Sequence, residues 1–329
     1  MKSQLLYKLT SGKNSKFAYY LRGYFRQLVP HWISCIQGRR LLSSIALRTD
    51  KQYIEQRIQY YCKLQNKSLL PSTAPQIKEW HIPKKQKVYY FDSQEVTRAF
   101  PKNLRWQILP GDIVHVPEVP SIVKSRPLCN GNEHSVLLKM DKVRHFIFVK
   151  DNLPFEQKKP IAIFRGKVVG KKERMQFMEM YFGSTICNCG DVSRSKDIPT
   201  AWQTPKLTIN DHLQYRYIMA LEGNDVASNL KWVMSSNSIA VMPRPTCETW
   251  FMEGTLIPNY HYIEIKPDFS DLEEKITYYN NHLDEARAII QHAHEYVEPF
   301  KDKHREQLIL LGVMDKYLHL TNADYQSQI

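Results

Sequence analysis

The sequence predicts a mixed α/β fold centred on a doubly wound parallel sheet, and three observations predict it. Residues 161–164 form a short apolar run, followed by a glycine-bounded turn at 166–170 and a helical stretch at 172–180. The same unit then recurs: an apolar run at 218–221, the polar turn Glu222-Gly223-Asn224-Asp225, a helix at 226–235 and a further apolar run at 238–242. Strands alternating with helices of this length imply parallel pairing through right-handed crossovers, which places ligands beyond the carboxyl ends of the strands. Third, 329 residues with 43% hydrophobic side chains suffice for about two domains with cores of their own.

The remaining elements follow in order. Phe17, Tyr20, Leu21, Tyr24 and Leu28 recur at helical spacing over residues 16–28. Nine Lys and Arg residues precede the first acid, Asp50, so much of the net charge of +13 is local to residues 1–48. A basic helix with an aromatic face suits an anionic membrane surface, and it equally suits packing of that face on the protein body. Residues 52–64 read as a helix, and 66–87, with Pro71, Pro75 and Pro83, as an irregular connection. Short apolar runs at 88–91, 106–109, 121–124 and 145–149 read as strands of a modest α/β domain. A strand is expected at 261–265, and Ser270 with Glu273 forms a capping box for a helix at 271–279. Helices at 284–297 and 305–318 and a frayed tail at 321–329 complete the chain. The expected organisation is a basic helical segment over 1–80, an α/β domain over 81–150 that takes in part of it, and a second α/β domain over 151–320.

Several function classes are excluded. No apolar run reaches the roughly 20 residues of a spanning helix and no secretion signal opens the chain, so a cytoplasmic protein is expected. Cys187 and Cys189 sit at a buried strand end with no second cysteine pair to complete a zinc site, and His292 and His294 do not share a helix face. The phosphate loop G-x-x-x-x-G-K-[ST] and the dinucleotide fingerprint G-x-G-x-x-G are both absent. No Asp-x-Asp triplet occurs, so the usual carboxylate clamp for a nucleotide-bound divalent ion is missing and no metal or other cofactor is expected.

The candidate chemistry lies at the two recurring turns. Arg165, Gly166, Lys167, Lys171, Lys172 and Arg174 surround the entrance to a helix, where cations, backbone N–H groups and the positive helix end can hold a diphosphate. A simple exposed basic turn has the same composition. Gly223 permits close approach of a ligand to the backbone, and Glu222 and Asp225 suit either ribose and sugar hydroxyls or the turn itself. Trp250 and Phe251 suit stacking on a sugar or base, and equally a core. His134 and His145 read as structural.

With these residues in place, the run from Lys159 to about Tyr317 resembles glycosyltransferase family 90. The resemblance rests on FRG at 164–166 followed by Glu173-Arg174, on HLQYRYIMALEGND at 212–225, ASNLKWVMSSNS at 227–238 and ETWFMEG at 248–254. It extends to LPGDIVHVPEVPSIVKSRP at 109–127, which is similar to bacterial lipopolysaccharide-modifying members. The resemblance implies a GT-B architecture, two Rossmann-like domains facing a cleft, with a UDP-sugar held by the second. It implies inversion at the anomeric carbon and a saccharide or lipid-linked saccharide as acceptor. Asp112, in the Gly-Asp turn that parallels the family's Arg-Asp-Tyr-Pro segment, is then the candidate base. Arg174 matches the arginine that contacts the nucleotide diphosphate, while Arg165 either joins it or braces the loop. Where animal members carry a second arginine this sequence has Asn229, so Lys231, or backbone N–H groups through Ser228, would take over that contact. Lys124, Ser125 and Arg126 would face the acceptor, or pair with neighbours.

Two other classes compete. A non-catalytic basic protein holding anionic lipid or nucleic acid accounts for the charge but leaves the two strand-turn-helix units unexplained, so no nucleic-acid partner is expected. A degenerate transferase partner accounts for Asn229.

Overall fold

A computed structural model describes residues 11–328. The chain divides into two compact units, and it passes between them more than once. One comprises Met1–Asn14, Arg144–Pro245 and Gly254–Pro299; the other comprises Ser15–Val143, Thr246–Glu253 and Phe300–Ile329. Of the basic segment, residues 1–10 lie outside the described residues.

Strands are numbered in chain order: β1 (Ile108–Leu109), β2 (Ser121–Val123), β3 (Ser125–Pro127), β4 (Ser135–Leu137), β5 (Lys159–Gly166), β6 (Cys187–Asp191), β7 (Tyr215–Met219), β8 (Ile239–Met242), β9 (Cys247–Thr249) and β10 (Ile263–Glu264). The first unit is built on a five-stranded, all-parallel sheet in the order β10-β8-β7-β5-β6. The inner strand β8 is buried on both faces and appears in sequence as the unbroken apolar run IAVM, and the middle of β5 is buried likewise. Ala162 and Phe164 join Phe177, Tyr217, Val241 and Ile276 in one core, so the helices Lys172–Tyr181 and Leu272–Asn281 cover the face from which Phe164 projects. From β5 the chain steps outward to β6, then crosses to the opposite side of β5 to form β7. The strand order therefore reverses between β5 and β7, and in open α/β sheets the crevice at such a reversal is where ligands bind.

The second unit carries a short parallel sheet, β1-β2-β4, and an antiparallel pair of β3 with β9. The helix Lys303–Thr321 packs against the helices Lys51–Tyr61, His31–Ser44 and Lys87–Thr97. It is apolar on nearly every side, as a helix enclosed by its own unit must be. Asp302 caps its start by accepting hydrogen bonds from the backbone N–H groups of His304 and Arg305.

Several expectations need correction. Residues 88–91 belong to the helix Lys87–Thr97, because a four-residue apolar run does not distinguish strand from buried helix. Residues 145–149 are not a strand; His145 ends the short helix Lys142–His145. The helix expected at 226–235 shortens to Leu230–Met234. Ser270 does not cap its helix: its hydroxyl donates to Asp268, and Asp271 occupies the cap position. The chain does not break once near residue 150 either. Residues 246–253 and the last helix, both read as parts of the second domain, fold with the first half of the chain. The strand pairing β3–β9 and the packing of Lys303–Thr321 are contacts remote in sequence, which local patterns do not encode.

Candidate functional site

At the reversal point, the side chain of Arg174 joins the two crossover loops. It projects from the first turn of the helix Lys172–Tyr181 and donates to Lys167 O at 3.0 Å, beyond β5. Two further bonds go to Leu221 O at 2.7 Å and Glu222 O at 2.9 Å, beyond β7. The two glycines of these loops make room for it. A Cβ at Gly166 would stand 3.3 Å from one terminal nitrogen of the guanidinium, besides striking the Phe164 ring at 2.7 Å. A Cβ at Gly223 would stand 3.1 Å from the other. Gly166 is thus set by the Phe164 ring with the guanidinium close behind, and Gly223 is crowded by the guanidinium, neither through unusual backbone angles.

The electrostatics of this arrangement matter more than its hydrogen bonds. Burial pulls the Arg174 pKa below its usual value, with the neighbouring Glu173 working in the opposite direction. All three hydrogen-bond partners are carbonyl dipoles, and among the described residues no carboxylate forms an ion pair with the guanidinium. Its unit charge is therefore solvated but not cancelled. The helix it opens has no side-chain cap at Lys171, so backbone N–H groups of its first turn add positive potential at the same strand ends. Lys171 reaches across to the side-chain oxygen of Asn224 and links the two loops a second time.

Asp191, which the sequence reading missed, fixes the loop geometry from beneath. This fully buried carboxylate ends β6 and accepts from the N–H of Val168 at 2.9 Å, the N–H of Ser193 at 2.9 Å and the hydroxyl of Ser193 at 2.7 Å. A signal was present: an Asp directly after the strand run ICNCG, in register with Gly166 at the end of β5.

The other expected ligand residues distribute less simply. Arg165 lies on the opposite sheet face from Phe164, as strand alternation requires. It donates to Phe164 O, Asn188 O and the Asn188 side-chain oxygen, so it braces β5 against β6 and does not join Arg174. Asn229 donates to Met219 O at 3.0 Å and closes the end of β7; it is a backbone clamp where a cation was considered. Lys231, considered as a substitute for the missing phosphate contact, is fully buried on the short helix Leu230–Met234. Ser228 is exposed, Asp225 buried and Glu222 half-buried, the three following one another along a bend rather than a helix start.

In the other unit Asp112 follows β1, and its carboxylate pairs with the ammonium of Lys124, a fully buried side chain between β2 and β3. Ser125, also buried, donates its hydroxyl to Ile113 O at 3.0 Å and so holds the same turn. Arg126 is corrected from acceptor contact to structural member. It is fully buried, donates to Glu248 at 2.7 Å, and donates further to Tyr60 O, Tyr61 O and Ser135 O. Trp250 and Phe251 are core residues: Trp250 stacks on Tyr61 at 3.9 Å and its indole N–H donates to Glu306.

Fold and site together define an α/β protein that presents an uncancelled cation at a strand-order reversal, a place for an anionic ligand. The model of the family described as Glycosyl transferase family 90 matches residues 135–325. The O-glucosyltransferase LpsA of Dichelobacter nodosus is 40% identical over 268 residues, covering 81% of this chain and 83% of that protein. The chain belongs to glycosyl transferase family 90 and is a glycosyltransferase. The resemblance drawn from short motifs thus holds, and the non-catalytic reading of the basic charge is overturned by the match over most of the chain.

Proposed function

We propose that this enzyme moves a sugar, glucose by analogy with the Dichelobacter relative, from a UDP-sugar to a hydroxyl of a lipopolysaccharide-type glycan, with inversion and without a metal ion. The GT-B class that the resemblance implies is part of the proposal. The observation that carries it is the Arg174 charge, held at the β5–β7 reversal by carbonyls alone. A diphosphate is the ligand for which such a site is built: its leaving-group charge grows as the glycosidic bond breaks, and a fixed cation with aligned N–H dipoles stabilises that growth. Of the guanidinium N–H groups, three are committed to Lys167, Leu221 and Glu222, and those remaining are available to phosphate oxygens.

On the acceptor side, Asp112 serves as the base. Its carboxylate takes the proton of the acceptor hydroxyl while that oxygen forms a bond to C1, and the C1–O bond to the diphosphate breaks with its electron pair leaving on UDP. Lys124, held beside Asp112, positions the carboxylate. Purified enzyme with chelator, acceptor and UDP-glucose is expected to release UDP. Asp112→Asn is expected to lower turnover by about 10²- to 10⁴-fold while UDP still raises the melting temperature as in the parent. Turnover that requires added manganese, or an Asp112→Asn enzyme of normal rate, overturns the mechanism.

A further inference from the structure

The helix Lys16–Gln27 packs on its own unit through one side only. Gly23 lies against Phe91, so closely that a Cβ there would come within 2.5 Å of the ring. Tyr20 meets the same ring edge-on, and the Tyr19 hydroxyl donates to buried Asp92 at 2.7 Å. The stripe read as suiting either a membrane surface or the protein body splits: Tyr20 and Tyr24 pack on Phe91, while the rest faces outward. Phe17, Leu21, Phe25 and Leu28 follow i, i+4, i+8 and i+11 spacing and form one outward stripe. Phe17 is 78% exposed, Phe25 60% and Leu28 75%.

The next helix, His31–Ser44, repeats the arrangement. Ser34, Gly38 and Leu42 are buried, with Gly38 against Ala99. Trp32, Ile36, Arg39 and Arg40 recur at i, i+4, i+7 and i+8 on its outward side, and Trp32 is 64% exposed. The elbow between the helices is fixed, not loose. Arg98 donates to Arg26 O at 2.6 Å, Val29 O at 2.9 Å and the Ser34 hydroxyl at 2.8 Å, spanning the turn. Phe25, Leu28, Val29 and Trp32 are thereby held in the open around a rigid corner.

We infer that this elbow is a docking surface for an anionic phospholipid bilayer, with Phe25, Leu28 and Trp32 entering the interface and Arg39 and Arg40 meeting lipid phosphates. Charge selects the occupant. No acidic residue precedes Asp50, Lys16, Arg22, Arg39 and Arg40 are all exposed, and the neighbouring acid Glu95 is already paired with Arg26 and Lys142, so the apolar stripe sits in a surface of net positive charge. Aromatic and leucine side chains flanked by cations, on a helix too polar to insert, are the composition of an interfacial helix. Among the described residues no helix is long and apolar enough to cross a membrane, so attachment here lies in the plane of the surface.

The test uses the full chain and sedimentation with vesicles of equal parts phosphatidylcholine and phosphatidylglycerol, against vesicles of phosphatidylcholine alone. Binding is expected to the anionic vesicles only and to weaken with salt. F25S/W32S is expected to lower partitioning about tenfold or more, and R39Q/R40Q about fivefold for each charge removed, with unchanged thermal unfolding because all four side chains are exposed. Absence of binding to either vesicle, equal binding by parent and F25S/W32S, or a parent dimer that F25S/W32S converts to a monomer without any vesicle binding, overturns the inference. No donor or acceptor sugar enters the assay, so its outcome is independent of the transfer reaction.

Discussion

Arg126, in the antiparallel strand β3, and Arg174, in the first turn of the helix after β5, are both arginines hydrogen-bonded to several backbone carbonyls, and they have opposite fates. Arg126 is fully buried and meets the Glu248 carboxylate along with three carbonyls, so its charge is neutralised within its unit. Arg174 is half-buried and meets only carbonyls, so its charge remains for something that the chain itself does not supply. The same residue type is neutralised in one unit and left without a carboxylate partner among the described residues in the other, where we propose that it receives the donor diphosphate. What separates them is the presence of one carboxylate, since dipoles solvate a charge while only a counter-ion cancels it.

The comparison breaks most visibly at Arg126. Arg126→Met leaves Glu248 buried without its partner and is expected to destabilise the protein by about 3–5 kcal/mol, read from denaturant unfolding. Arg174→Ala is expected to reverse the pattern, lowering kcat/KM for the donor by about 10²- to 10³-fold, because it removes a donor aimed at the leaving group. If Arg174→Ala unfolds the protein and Arg126→Met spares stability but abolishes donor binding, the assignment of roles is inverted.

A buried acid sharpens the rule from the other sign. Asp92 accepts from the Tyr19 hydroxyl at 2.7 Å and the Lys142 N–H at 3.0 Å, with the Lys142 ammonium 3.7 Å away. Burial nevertheless prevails over Lys142 and Tyr19, and pushes its pKa up from 3.8 to about 6. The native state then holds the proton more tightly than the unfolded chain. This contribution to stability is present below about pH 4 and is lost as pH rises to about 6, a change of about 3 kcal/mol. Asp92→Asn is expected to flatten that part of the stability profile measured by chemical unfolding between these pH values. The smallest effect is expected at Gly223→Ala, where the new methyl presses on the Arg174 guanidinium at 3.1 Å. Donor affinity should fall severalfold, by about 1 kcal/mol, with unfolding little changed, as titration with UDP would show.

Much of the first unit was legible. β5, β7 and β8 stand within a few residues of the apolar runs that announced them, because strands buried on both faces have no polar positions to blur the signal. Arg174 and the two glycines were likewise visible as a basic, glycine-marked pair of strand ends. Less was legible where partners come from afar. Nothing near Arg126 in sequence announces Glu248, and nothing near Trp250 announces Tyr61 or Glu306. The side-chain amide of Asn229 capping β7 and the complete burial of Lys231 were equally hidden, since a residue's exposure depends on what folds over it.

By itself the sequence determined the alternation of strand and helix, the family, and which residue types stand at the two crossover turns. These follow from local periodicity and short-range motifs, in which neighbours along the chain are also neighbours in space. Only the tertiary structure decided which cations are cancelled, that Arg165 braces β5 against β6 while Arg174 spans the two crossover loops, and that the last helix returns to the first half of the chain. Such outcomes depend on pairings between residues from about twenty to more than two hundred positions apart, and the energy of a charge is set by those pairings rather than by its own place in the sequence.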